Sequence, residues 1–201
     1  MIILKILYIM VFFSFSFSSD IQKEVKQINP HVSLVIHESL INDFFANTGK
    51  ITGVGESDLL DYNWSLLNPR IEILKDQALF FAQINVKHDL FSFTRDVEGS
   101  VKVVYNEEKN LIIVSVDEAD LILDVDLFGK NILLGEVDIA KYFSKDFTYE
   151  GIKPFNNEVD FTLPNTKKKK IKVETKQYEL LLLENMIQLN TEFIFNQVYE
   201  Q

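Results

Sequence analysis

The stretch Gln77-Ala78-Leu79-Phe80-Phe81-Ala82-Gln83-Ile84-Asn85-Val86-Lys87 decides the fold. Ala78, Phe80, Ala82, Ile84 and Val86 fall on one side of an extended chain, and Gln77, Gln83, Asn85 and Lys87 on the other. A period of two marks a strand with one dry and one wet face. Just ahead of it, Lys75-Asp76-Gln77 turns the chain back to Ile71-Glu72-Ile73, which predicts a hairpin. Adjacent Phe80 and Phe81 send a ring to each face, so one of the two needs a cover on the side away from the core.

The same alternation continues toward the C-terminus. Phe91, Phe93, Val97, Val101 and Val103 oppose Ser92, Thr94, Asp96, Glu98, Ser100 and Lys102, with Gly99 predicting a bulge or bend in a long strand. Asn106 to Asn110 turns the chain into Leu111 to Val116. Ala119, Leu121, Leu123, Val125 and Leu127 then alternate with Asp120, Ile122, Asp124 and Asp126. Val159, Phe161 and Leu163 precede a lysine-rich turn, and Ile171, Val173, Tyr178 to Leu183 and Ile187 to Phe195 follow it. Short turns between successive strands predict an antiparallel meander.

Two segments break this pattern. Over Glu38 to Thr48 the residues Leu40, Ile41, Phe44 and Phe45 recur at helical spacing, and Gly49 follows as a C-terminal cap. Asp138 to Lys145 predicts a shorter helix behind an Asp138 N-cap. Between the first helix and the sheet, Gly49, Gly53 and Gly55 predict a mobile connection. The expected architecture is therefore α+β: a strongly curved antiparallel meander of about eight strands packed around the N-terminal amphipathic helix, with a β-sandwich carrying a peripheral helix as the alternative.

Residues 1–18 differ from the rest. Lys5 is their only charge; an apolar run from Ile6 to Phe13 follows, then alternating serine and phenylalanine. This predicts a secretory signal peptide cut after Ser18, because a helix over Ile6 to Phe17 reaches about 18 Å, short of the ~30 Å hydrocarbon core of a bilayer. Residues 19–201 then form a single exported domain, periplasmic or at the outer surface of a bacterium.

The 201 residues include no cysteine and three histidines, with 30 acidic against 20 basic residues for a net charge of −10. The cysteine count excludes disulfides, thiolate metal sites and thiol nucleophiles. The acidic balance argues against nucleic acid as a partner. His31, His37 and His88 stand apart from any nucleophile motif, so the reading is a protein that is not an enzyme and needs no cofactor.

An export signal, a short strand at Val32 to Ile36, the helix Glu38-Ser39-Leu40-Ile41-Asn42-Asp43-Phe44-Phe45 and a long antiparallel meander resemble, in that order, small periplasmic bacterial proteins of the tubular lipid-binding type. The resemblance implies a curved sheet wrapped on a helix around an apolar groove, and hence a lipid or other apolar ligand. No residue role is carried over, since that family has no catalytic signature to match.

Candidate groove residues are Leu40, Phe44, Phe45, Trp64, Phe80, Phe93 and Phe161. The alternative is a structural or protein-interaction component of the cell envelope whose apolar face is filled by its own core or by a partner chain. Lys167, Lys168, Lys169 and Lys170 form the sharpest charge anomaly, and they read as a wet hairpin tip or as a contact for anionic head groups. Asp117, Glu118, Asp120, Asp124 and Asp126 read as a solvated acidic face rather than a calcium loop, because a flat strand spreads its carboxylates. Oligomeric state is not encoded in any of these patterns.

Overall fold

The computed structural model describes residues 28–56, 60–127, 129–143, 146–162, 164 and 168–198. The export segment read at residues 1–18 lies outside them, as does Lys167. In chain order the elements are β1 (Val32–His37), α1 (Glu38–Ala46), β2 (Thr52–Glu56), β3 (Asp61–Leu74), β4 (Gln77–His88), β5 (Phe91–Asn106), β6 (Leu111–Glu118), β7 (Asp120–Leu127) and β8 (Lys130–Asp138). A 3₁₀ turn (Ala140–Phe143) follows, then β9 (Phe147–Glu150), β10 (Asn156–Thr162), β11 (Lys168–Leu183) and β12 (Met186–Val198).

The expected meander of about eight strands around an N-terminal helix is overturned. The described chain is 73% strand and 8% helical, and its sheets curl into half-barrels. Sheet A has the order β1-β12-β11-β10, sheet B the order β2-β3-β4-β5-β6-β9, and β7-β8 stand as a separate hairpin. The curled half-barrels also replace the alternative expectation of a sandwich with a peripheral helix.

Backbone hydrogen bonding explains the helix's place. The first five residues of β3 pair with β2, while Leu66 to Leu74 continue past the end of that short partner. Asn42 takes over the pairing: its Nδ2 donates to the Ile71 carbonyl at 3.0 Å, and its Oδ1 accepts from the Ile71 N–H at 2.7 Å. Glu38 Oε2 accepts from the Ile73 N–H at 2.7 Å. Asn185, in the β11–β12 turn, donates its N–H to the Ile73 carbonyl at 2.8 Å and accepts from the Glu38 N–H at 2.9 Å. A buried peptide group left without a partner costs about 1–3 kcal/mol, so these bonds seat the helix on a sheet edge and join the two sheets there.

The helix ends at Ala46, two residues before the sequence expectation, with Asn47 capping it through the Asp43 carbonyl. Ile41 and Phe45 are its buried residues. The helix expected over Asp138 to Lys145 is only the 3₁₀ turn, with residues 144 and 145 outside the described set. Asp138 does cap that turn, accepting from the Lys141 N–H at 3.3 Å and pairing with its ammonium at 2.8 Å.

The glycine-rich connection is a strand rather than a mobile linker. Gly53 lies opposite Trp64 and Gly55 opposite Tyr62, and a Cβ on either glycine would collide with the facing ring. The rings cover the glycines and are themselves buried, which supplies the packing that glycine cannot give a strand. The bend expected at Gly99 is present as a register shift between Ser100 and Val101. A side chain at Gly99 would strike the Glu118 carbonyl and Ala119.

Phe80 is fully buried and sits opposite Gly99 on the inner face of sheet B. Phe81 points outward, where the Arg70 guanidinium lies 5.0 Å from its ring centre and supplies the missing cover. Inside, Phe80 meets Phe45 at 6.3 Å and Phe143 at 5.2 Å, while Phe45 meets Phe143 at 5.3 Å and Phe44 meets Phe147 at 5.4 Å. All four pairs are edge-on, an arrangement worth about 0.5–1.5 kcal/mol per pair beyond the area buried.

Candidate functional site

The structure gathers most of the groove candidates on one face and then fills that face. Trp64, Phe80 and Phe93 share the inner face of sheet B, with Trp64 and Phe93 in register on either side of Val86. Phe45 drops onto it from the helix. Phe45, Trp64 and Phe80 are buried, and Phe44 and Phe93 are half-buried. The space is taken by the protein's own rings, including Phe143 and Phe147, two residues the sequence reading did not place there. Leu40 turns away from this cluster and is 44% exposed, because Ile41 and Phe45 set the buried side of the short helix. Phe161 holds a place in β10, and its side chain lies outside the described set.

A different apolar surface is left uncovered. The face of sheet A that carries Ile187, Leu189 and Thr191 into the core continues along β12 to Phe193 and Phe195. Along β11 the same face runs from Leu182 and Leu180 through Tyr178 to Val173 and Ile171, and Val159 of β10 joins it opposite Ile171. A bulge between Thr175 and Gln177 marks where the strands leave the core. Beyond it Phe155 is 38%, Val159 48% and Phe195 59% exposed. His31 stacks on Phe193 at 6.0 Å and meets Phe195 edge-on at 5.9 Å, while Phe155 lies 5.5 Å from Phe193. The His31 Nδ1 accepts the Phe193 N–H at 3.0 Å, so this aromatic row is anchored at its inner end.

The reverse face of the same strands is charged. Lys170 pairs with Glu158 at 3.1 Å, Lys172 with Glu174 at 2.7 Å and Lys176 with Glu192 at 2.6 Å. The Lys172 ammonium, hydrogen-bonded to Glu174, holds that carboxyl below its usual range, and Lys176 does the same to Glu192. The lysine run is therefore not an isolated tip. Lys168 to Lys170 already belong to β11, opposite Thr162, Phe161 and Asp160. Lys168 and Lys170 share the charged face, and Lys169 points with the apolar one.

Other shifted groups have structural causes. Burial raises Tyr105, which donates to Asn110 Oδ1 at 2.8 Å, and burial likewise raises Tyr62. Asp124 of the acidic strand is turned toward Arg95 at 3.8 Å and accepts from Asn131 at 2.9 Å. Among the described residues, no group of three or more histidine or carboxylate side chains is placed to hold a metal ion. Compared with protein-family models, with curated proteins and with solved structures, the chain matches none.

Proposed function

We propose that this is an exported, non-catalytic lipid-contacting protein, and that its contact surface is the outer end of sheet A rather than an internal groove. The observation that carries the reading is the row formed by Phe155, Val159 and Phe195, exposed on a face that is core elsewhere. Lys168 and Lys169 border its tip, together with Lys167 in the sequence. Burying three half-exposed apolar side chains contributes roughly 1 kcal/mol each. Lysines beside an anionic bilayer add up to ~1 kcal/mol apiece. The apolar term leads and the lysines orient.

Flotation with vesicles of phosphatidylcholine containing phosphatidylserine tests this reading. Binding is expected, reduced at least fivefold by Val159→Asp with Phe195→Asp, and less by replacing Lys168 and Lys169 with glutamine. An unbound wild-type protein would overturn it. The ion pairs of Lys170 and Lys172 favour a second reading, a protein partner of the cell envelope on the same face, because they take charge away from a lipid surface. That reading predicts vesicle-independent association lost in the same double variant.

A further inference from the structure

A second candidate lies at the opposite margin of sheet B. The β7–β8 hairpin folds back toward β2 and leaves an open cleft of about 800 Å³. Both walls are strand edges. The Leu66 N–H bonds the Ile51 carbonyl, which sets the phase of the β2–β3 ladder and turns the peptide groups of Thr52, Val54 and Glu56 to the free side. The Ile139 N–H bonds the Ala119 carbonyl, and by the same logic Glu136 and Asp138 turn theirs outward from β8. Among the described residues no strand pairs with either edge, and open edges of this kind are templates for another strand. Val54 stands 68% exposed at the mouth.

The lining adds chemical selectivity. Asp120, Glu136 and Asp138 supply three carboxylates, and Lys141, already paired with Asp138, is the one cation among the lining residues. Tyr142 meets Trp64 edge-on at 4.8 Å and forms an aromatic wall. Tyr62 is 3% exposed, and its hydroxyl ends between Gly55 and Gly135. Tyr62 thereby lines the cleft between the two glycine-bearing strands.

We propose that this cleft captures a basic, extended peptide segment, which adds a strand to the β2 edge and places its cationic side chains against Asp120 and Glu136. The free peptide groups call for a main chain rather than a small organic cation, and the carboxylates select its charge. The five residues of β2 offer about 17 Å of edge at ~3.4 Å per residue, enough for a five-residue segment.

Fluorescence anisotropy with labelled Lys-Val-Lys-Val-Lys and Glu-Val-Glu-Val-Glu on the full-length protein tests the proposal. The basic peptide is expected to bind at least tenfold more tightly. Val54→Pro should weaken it at least tenfold without lowering the melting temperature, because the Val54 N–H is not used in the β2–β3 ladder. Glu136→Gln should narrow the preference between the two peptides. Methylating alternate backbone nitrogens of the basic peptide should abolish binding with its charge intact, an arm that leaves the protein untouched. Equal binding of the two charged peptides, or undiminished binding of the methylated one, would overturn the proposal.

Discussion

The two ends of the β11–β12 hairpin are built from the same strands and end in opposite environments. Near the turn, Ile187, Leu189 and Thr191 are buried in the core, where β12 meets β3 of sheet B. Past the bulge at Thr175, Phe195 on the same face is more than half exposed. Both ends alternate apolar with polar residues. The difference lies in the second layer: β3 meets β11 and β12 at the inner end, where Tyr105 of β5 also meets Tyr178, and the outer end extends past them. An apolar side chain contributes to stability where another layer meets it, and to binding where none does.

The largest expected contrast comes from truncating each end in turn. Leu189→Ala should cost about 2–5 kcal/mol in denaturant unfolding, as cavity formation in a packed core does, whereas Phe195→Ala should cost less than about 1 kcal/mol and show itself in vesicle flotation. Equal stability losses would break the comparison, since they would mean that the outer end is also packed. Asn42→Ala probes what holds the inner end in place. It leaves the Ile71 peptide group without its partner on the sheet edge, and a loss of about 1–3 kcal/mol is expected, with faster amide exchange at Ile71 and Ile73.

A smaller effect sharpens the boundary. Tyr178 and Thr191 face each other at the inner side of the bulge, and both hydroxyls are buried without a hydrogen-bond partner among the described residues. Thr191→Val should therefore be neutral or raise the melting temperature slightly, where the same change at a satisfied threonine lowers it. The smallest effect is acid sensitivity of the outer end. Glu174 and Glu192 titrate below their ordinary range in the folded protein, so their contribution is present above that range and fades as the pH falls through the lowered values. Amide exchange should quicken at Lys172 to Lys176 before it does at Leu180 to Leu183 as the pH is lowered. Simultaneous loosening of both ends would contradict the comparison.

Where alternation was clean and turn residues were strong, the sequence was legible. β4 and β5 follow their patterns, and the turn at Lys75-Asp76 holds Asp76 at a positive φ of 65°, as a short hairpin requires. Gly99 marked a real bend. Three features were hidden for identifiable reasons. β2 carries two glycines, whose low strand propensity is offset only by the rings of Tyr62 and Trp64 across the ladder. β8 breaks alternation at Ile132-Leu133-Leu134 because a bulge in the β7–β8 ladder shifts its register. The lysine run looked like a free basic tip because Glu158, which pairs with Lys170, lies twelve residues earlier in the chain.

The groove candidates divide in the same way. The inward positions of Phe80 and Phe93 were readable from periodicity, but the filling of their face was not, since Phe143 and Phe147 reach it from a 3₁₀ turn and a four-residue strand too short to show a period. The exposed row on sheet A was equally hidden, because Ile187 and Phe195 occupy equivalent positions in one alternating pattern.

By itself the sequence determined which residues can share a face, where hairpins turn and where the N-terminal helix lies, because these follow from local geometry with periods of two and 3.6 residues. Only the tertiary structure decided which faces are covered, which strand edges are left open and which charges are paired. Those outcomes depend on contacts between residues far apart in the chain, and no local period records them.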